Sequence, residues 1–145
     1  MHLDSETIKN YLRSVHPNFT EERDNESKLY YSAPFQADPH VNLIVFTGIN
    51  NKFKKTSFLE VRLYDFGQEV FFGRKNIIKL ENGWEKKVKK TILWTAKNLD
   101  DFTCKICGHY MVARKNNFNN YFLGCTNFPE CKGTKQIEQI KHFEL

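Results

Sequence analysis

The chain has 145 residues, with 22 Lys/Arg against 17 Asp/Glu and a formal net charge of +5. That length suits one ordinary domain, or one small domain with a metal-stapled module, and no apolar run approaches the ~20 residues of a membrane-spanning helix. The excess charge is unevenly placed: residues 1–82 hold eleven basic and eleven acidic side chains, residues 83–145 eleven basic and six acidic. The C-terminal part is therefore the one expected to meet an anionic partner.

The first ten residues, MHLDSETIKN, carry acids and no apolar stretch, so they are not read as a signal peptide. Asp4 or Ser5 is placed to cap a helix in which Ile8, Tyr11, Leu12 and Val15 recur on one face. That helix is expected to stop at His16, because Pro17 disfavours helical geometry in the residue before it. Residues 18–27 are polar and acidic and read as a loop or a frayed turn. Leu29-Tyr30-Tyr31 is a short strand, residues 34–40 a connection with two prolines, and Val41–Thr47 a longer strand of central type. Gly48 to Lys55 reads as a turn. Phe58–Tyr64 alternates apolar and charged residues, as a half-buried strand does. After the turn at Asp65-Phe66-Gly67 come Glu69–Phe72 and Ile77–Leu80, read as two strands broken at Gly73-Arg74-Lys75. Asn82-Gly83 closes this antiparallel meander.

From Trp84 the period changes. Trp84, Val88, Thr91, Ile92, Thr95 and Leu99 form a helical stripe, with Lys86, Lys87, Lys89 and Lys90 on the other faces. A strand over Thr91–Thr95 is the rival reading, since those residue types favour sheets. Residues 1–100 thus read as a small α+β domain of no recognised family: a helix, an antiparallel meander and a second helix. Lys86, Lys87 and Lys90 are candidate phosphate contacts, although a lysine run is most often a solvated face.

All the cysteines lie in the remaining segment, as Cys104-x2-Cys107, seventeen intervening residues, then Cys125-x5-Cys131. Two thiolate pairs joined by a hairpin can supply the four sulfur ligands of a closed, structural Zn²⁺ site, with no open position for catalysis. Two disulfides or unrelated core cysteines are the alternatives, which the clustering disfavours. With zinc-type cysteines and none spare, a reducing, cytoplasmic compartment is expected.

Around these ligands stand Gly108, Met111, Arg114, Tyr121-Phe122, Gly124 before Cys125, and Phe128-Pro129-x-Cys131-Lys132. This pattern resembles the C4 zinc-finger repeat at the C-terminal end of bacterial type IA DNA topoisomerases. Lys105 departs from the usual proline, and an Asn-rich 116–120 replaces the usual glycine-containing turn; neither is a ligand. The resemblance covers residues 104–134 within a ribbon module of 101–145. It implies one zinc ion on Cys104, Cys107, Cys125 and Cys131, and binding of DNA, preferentially single-stranded. Tyr121, Phe122 and Phe128 are the candidate stacking residues, and Arg114, Lys115, Lys132 and Lys135 the candidate phosphate contacts. The aromatics could instead fill a small core. Adjacent strand positions face opposite ways, so one of Tyr121 and Phe122 is expected inside and the other outside.

Topoisomerase activity itself needs a large multi-domain body that does not fit in 145 residues. An enzymatic alternative is a Mg²⁺ nuclease, for which Asp38 and Glu60-Val61-Arg62 come nearest to the required acids. Arg62 is a poor replacement for lysine there, being permanently protonated. A protein-binding adaptor of the transcription or replication machinery, working through the aromatic-rich N-terminal domain, is the other alternative.

Overall fold

A computed structural model of the protein describes residues 1–35, 38–97 and 99–136. A two-residue strand β1 (Leu3–Asp4) leads into helix α1 (Ser5–Val15). Asp4 is the N-cap, its Oδ1 accepting the Thr7 N–H at 3.0 Å, and the helix ends at His16 ahead of Pro17. Ile8 and Leu12 are fully buried on its inner face, worth roughly 1.5–3 kcal/mol each relative to exposure. Strands β2 (Thr20–Arg23), β3 (Leu29–Pro34) and β4 (Val41–Thr47) follow. Next come β5 (Lys55–Thr56), which pairs with β1, then β6 (Phe58–Asp65) and β7 (Val70–Lys79). Helix α2 (Trp84–Lys97) and a 3-10 turn (Leu99–Phe102) lead to β8 (Met111–Lys115), β9 (Tyr121–Cys125) and β10 (Thr134–Gln136).

Strands β2 to β10, β5 excepted, form one eight-stranded sheet in the order β10-β9-β8-β7-β6-β4-β3-β2. Neighbours are antiparallel save for β7 and β8, which meet in parallel at Gly73 and Val112. The fold is α+β, with both helices on one face of the sheet. Tyr31 donates its hydroxyl to the Ser5 carbonyl at 3.0 Å. Ala33 and Leu43 share a hollow with Ile92 and Ala96 of α2. The helices meet where the Tyr11 and Trp84 rings lie 5.1 Å apart and the Tyr11 hydroxyl donates to the Glu85 carbonyl.

Two expectations change. The segment 18–27 is not all loop, because Thr20–Arg23 pairs with β3 as an edge strand. Its four side chains are all exposed, so it carries no apolar alternation and only backbone pairing reveals it. The two strands read at Glu69–Phe72 and Ile77–Leu80 are instead one, β7, which spans Val70–Lys79. Its register against β6 shifts between Val61 and Leu63, and Gly73, at φ +66°, lies within that bulge. The helical reading of Trp84–Lys97 holds, with Trp84, Val88, Ile92 and Thr95 buried.

The core runs without interruption into the cysteine-bearing hairpin. Leu59, Val61, Leu63, Phe72, Val88 and Ile92 belong to the same buried cluster as Phe102, Met111, Leu123 and Cys125. The joint is aromatic: the Tyr110 ring stacks on Phe72 at 4.1 Å, and Phe102 stands edge-on to Phe72 and Trp94. The Tyr110 hydroxyl donates to Asp38, and Thr126 Oγ1 to Gln68 at 3.1 Å.

Candidate metal centre and nucleic-acid interface

Cys104 and Cys107 sit on a tight turn before β8; Cys125 ends β9 and Cys131 follows in the loop before β10. The first turn is closed by the Gly108 N–H donating to the Cys104 carbonyl at 2.9 Å, with Gly108 at φ +80°, a conformation glycine adopts at no steric cost. The second is closed by the Phe128 N–H on the Cys125 carbonyl and the Cys131 N–H on the Asn127 carbonyl; the Phe128-Pro129 peptide is cis. The hairpin β8/β9 holds the two turns side by side, through the Met111–Cys125 register and the Thr126 N–H on the Tyr110 carbonyl.

All four Sγ atoms consequently lie within 4.8 Å of one another. Cys104 and Cys131 are 3.8 Å apart, Cys107 and Cys125 3.3 Å, against about 3.8 Å for sulfurs at the corners of a tetrahedron with ~2.3 Å metal–sulfur bonds. The cysteines are unpaired by disulfides. Burial pushes the Cys125 thiol up, to about 12. At Cys104 burial is outweighed by the backbone N–H groups of Cys107 and Ile106, which with neighbouring thiols bring it down to about 7. Thiols this close cannot all ionise without a cation among them, so the donor set fits a soft or borderline divalent metal in a closed site.

Three further residues serve this cluster and had no clear signal in the sequence. His109 places Nδ1 3.3 Å from the Cys107 sulfur, and the Asn127 N–H donates to the Cys125 sulfur at 3.4 Å, contacts of the kind that orient metal ligands. Gly133 approaches so closely that a Cβ there would lie 2.6 Å from Cys104 Sγ. Only the position of His109, two residues beyond Cys107, could have marked it.

The candidate nucleic-acid residues divide by place. Arg114 and Lys115 are exposed on β8, opposite Phe122 and Tyr121. Arg114 crosses over Gly124, where a Cβ would lie 2.9 Å from its Nε. The Lys115 ammonium lies 5.0 Å from the centre of the Tyr121 ring. Tyr121 is 40% exposed and Phe128 60% exposed, while Phe122 is half-buried. Tyr121 is the outer of the two, as one of the pair was expected to be, but Phe122 is not fully inside: the fully buried side chains of β9 are Leu123 and Cys125. Phe118, which the sequence reading passed over, is 83% exposed at the hairpin tip. That tip is shaped by asparagine in place of glycine: Asn116 Oδ1 accepts the Phe118 and Asn120 N–H groups, and Asn119 takes φ +61°. Lys132 is exposed, whereas Lys135 is half-buried with its ammonium 3.4 Å from the Asp101 carbonyl. Lys86, Lys87 and Lys90 lie exposed on α2, away from the ribbon hairpin in the chain, and Lys87 pairs with Glu81 at 3.4 Å.

The acids considered for a nuclease centre have other partners. Asp38 accepts from Tyr110 and from the His40 N–H, and Glu60 pairs with Lys75 at 3.8 Å. Among the described residues, the grouping of three or more Cys, His, Asp or Glu placed to hold a metal is the cysteine cluster. No helix among them is long and apolar enough to cross a membrane.

Residues 101–140 match the family model of the topoisomerase DNA-binding C4 zinc finger. No curated protein and no solved structure matches the chain. The C-terminal segment is a topoisomerase-type C4 ribbon with its four cysteines in place to bind a metal ion.

Proposed function

We propose that this protein binds DNA through its C-terminal ribbon, preferring single-stranded or distorted DNA, with one structural zinc ion on Cys104, Cys107, Cys125 and Cys131. The observation that carries the reading is the convergence of four sulfurs within 4.8 Å in a segment that matches a DNA-binding zinc-finger family. The zinc ion would supply folding energy and fix the hairpin; it performs no chemistry on the nucleic acid. Arg114, Lys115 and Lys132 follow the phosphates, and Tyr121 and Phe128 offer the more open rings for stacking, with Phe122 and Lys135 contributing from partly covered positions. Lys86, Lys87 and Lys90 add a diffuse positive field rather than specific contacts. The ribbon acts in a reducing, cytoplasmic setting, and the N-terminal hundred residues carry it as a supporting domain.

The test is a fluorescence titration of the zinc-loaded full chain with single- and double-stranded oligonucleotides at several salt concentrations. Three phosphate-following cations predict a log–log salt slope of about −2 for a single strand, from ~0.7 per phosphate. Tyr121→Ala is expected to weaken single-strand binding by about 1–3 kcal/mol with unchanged zinc content. Equal affinity for duplex and single strand, or salt-independent binding, refutes the single-strand reading.

A further inference from the structure

The face of the sheet turned away from the helices is unusual in its chemistry. Val61 and Leu63 of β6 point into the core, so Arg62 and Tyr64 point to the opposite side, and the register carries that side across the neighbouring strands. There Tyr30, Phe46, Phe71 and Tyr64 form a row of half-buried rings, with successive centroids 5.7, 6.0 and 4.8 Å apart. Phe66, 53% exposed, extends the row at 4.8 Å from Tyr64. The Arg62 guanidinium lies 4.0 Å over the Phe71 ring. A solvent-facing antiparallel sheet normally presents polar side chains. Cross-strand ring pairs add some sheet stability, but they do not account for the cationic cleft that this row reaches through Arg62.

That cleft, of about 560 Å³, lies where β7 meets the ribbon and is lined by Arg62, Arg74, Lys75 and Ile77 on one side and by Val112 and Tyr121 on the other. Arg62 thus belongs both to the ring row and to the cleft, and Tyr121 both to the cleft and to the ribbon surface. Lys75 also pairs with Glu60 of β6 at 3.8 Å. A row of rings joined through Arg62 to a cluster of guanidinium and ammonium groups suits a polyanion with flat bases: phosphates meet the cations, and bases stack on rings or on an arginine plane.

We propose that a single strand of nucleic acid engaged by the ribbon continues through the Arg62–Arg74–Lys75 cleft onto the aromatic sheet face, where bases stack on Phe46, Tyr64, Phe66 and the Arg62–Phe71 pair. The proposal rests on the ribbon reading above and gives the N-terminal domain a direct share of the site. From β9 to β3 the path crosses five strand spacings, about 24 Å at ~4.8 Å each. A strand long enough to cover both surfaces therefore binds more tightly than one that covers either.

The experiment is fluorescence anisotropy of the zinc-loaded full chain with labelled oligothymidylates of about 4 and about 16 nucleotides, the range of single-strand site sizes. Wild type is expected to bind the longer strand more tightly. Phe46→Ala and Phe66→Ala should each remove roughly 5- to 150-fold of that gain, the effect of one lost stacked base. Arg62→Gln, which leaves the ring row in place, should lower the salt slope by about 0.7. Tyr121→Ala should weaken both lengths. If all three sheet variants keep the full length-dependent gain and slope, the sheet face is not part of the site while the ribbon reading stands. A protein complex lost in those variants with oligonucleotide binding unchanged would assign the face to a protein partner and overturn the proposal. No binding of either oligonucleotide by wild type would sink both readings.

Discussion

Tyr110 joins the two halves of the molecule at a single side chain. Its ring stacks on Phe72 and its hydroxyl donates to Asp38. Burial, then the neighbouring Asp38, pushes the phenol up. The same hydrogen bond, helped by the His40 N–H, holds the Asp38 carboxyl below its ordinary value. A carboxylate whose folded pKa is lowered adds stability that is present above its unfolded pKa and lost as pH falls through the folded one. Tyr110→Phe keeps the stacked ring and removes the donor. It is expected to cost about 1 kcal/mol at pH 7, with the difference from wild type shrinking below pH ~4 as Asp38 protonates in both states. Denaturant titrations at pH 7 and pH 3 measure this. An equal difference at both values would show that the Asp38 contact is not its source.

At the scale of elements, the decisive feature is the bulge in β7. Gly73 takes φ +66° there, and a Cβ would meet Leu63 Cδ1 at 3.2 Å and the Phe102 ring at 3.6 Å. The bulge turns the outer edge of β7 towards Val112, so an antiparallel meander can accept a parallel neighbour delivered by α2 and the 3-10 turn. Gly73→Ala combines a left-handed backbone with a tight contact, and about 1–2 kcal/mol of destabilisation follows from the backbone alone. A melting temperature within error of wild type would contradict the role assigned to this glycine. The hairpin β8/β9 depends on its neighbours in the same way. Leu123 and Met111 are buried in a cluster shared with the meander, so the ribbon does not have to supply a core of its own.

For the whole molecule this sharing bears on how metal and fold are coupled. Cys104, Cys125 and Cys131, Phe102 and the inward face of the meander lie in one buried cluster, while Cys107 is exposed, and the eight-stranded sheet crosses from one part to the other. A ligand that binds only the folded state stabilises whatever folds with it. Chelating the metal is therefore expected to lower the melting temperature of the entire chain in one transition. Two transitions, with only the smaller responding to chelator, would show residues 1–100 and 101–145 to be independent units. The cleft holding Arg62, Arg74 and Lys75 lies at this joint, with Val112 and Tyr121 of the ribbon on its other wall.

What the sequence determined by itself was everything written in local chemistry. Four cysteines at metal-ligand spacing, a cap at Asp4 or Ser5 and the Pro17 stop of α1, the stripe from Trp84 and the alternation through Phe58–Tyr64 each need only a few neighbouring residues to be read. The edge strand Thr20–Arg23 was illegible because its exposed side chains have no alternation and its pairing is made by backbone alone. The unity of β7 was hidden because Gly73 signals a break, whereas the register shift against β6 absorbs it. The exposure of Tyr121, the half-burial of Phe122 and the gathering of Arg62, Phe71 and Tyr121 around one cleft were decided by the tertiary structure. Burial and proximity between residues fifty positions apart depend on which strands lie side by side, and no local pattern encodes that.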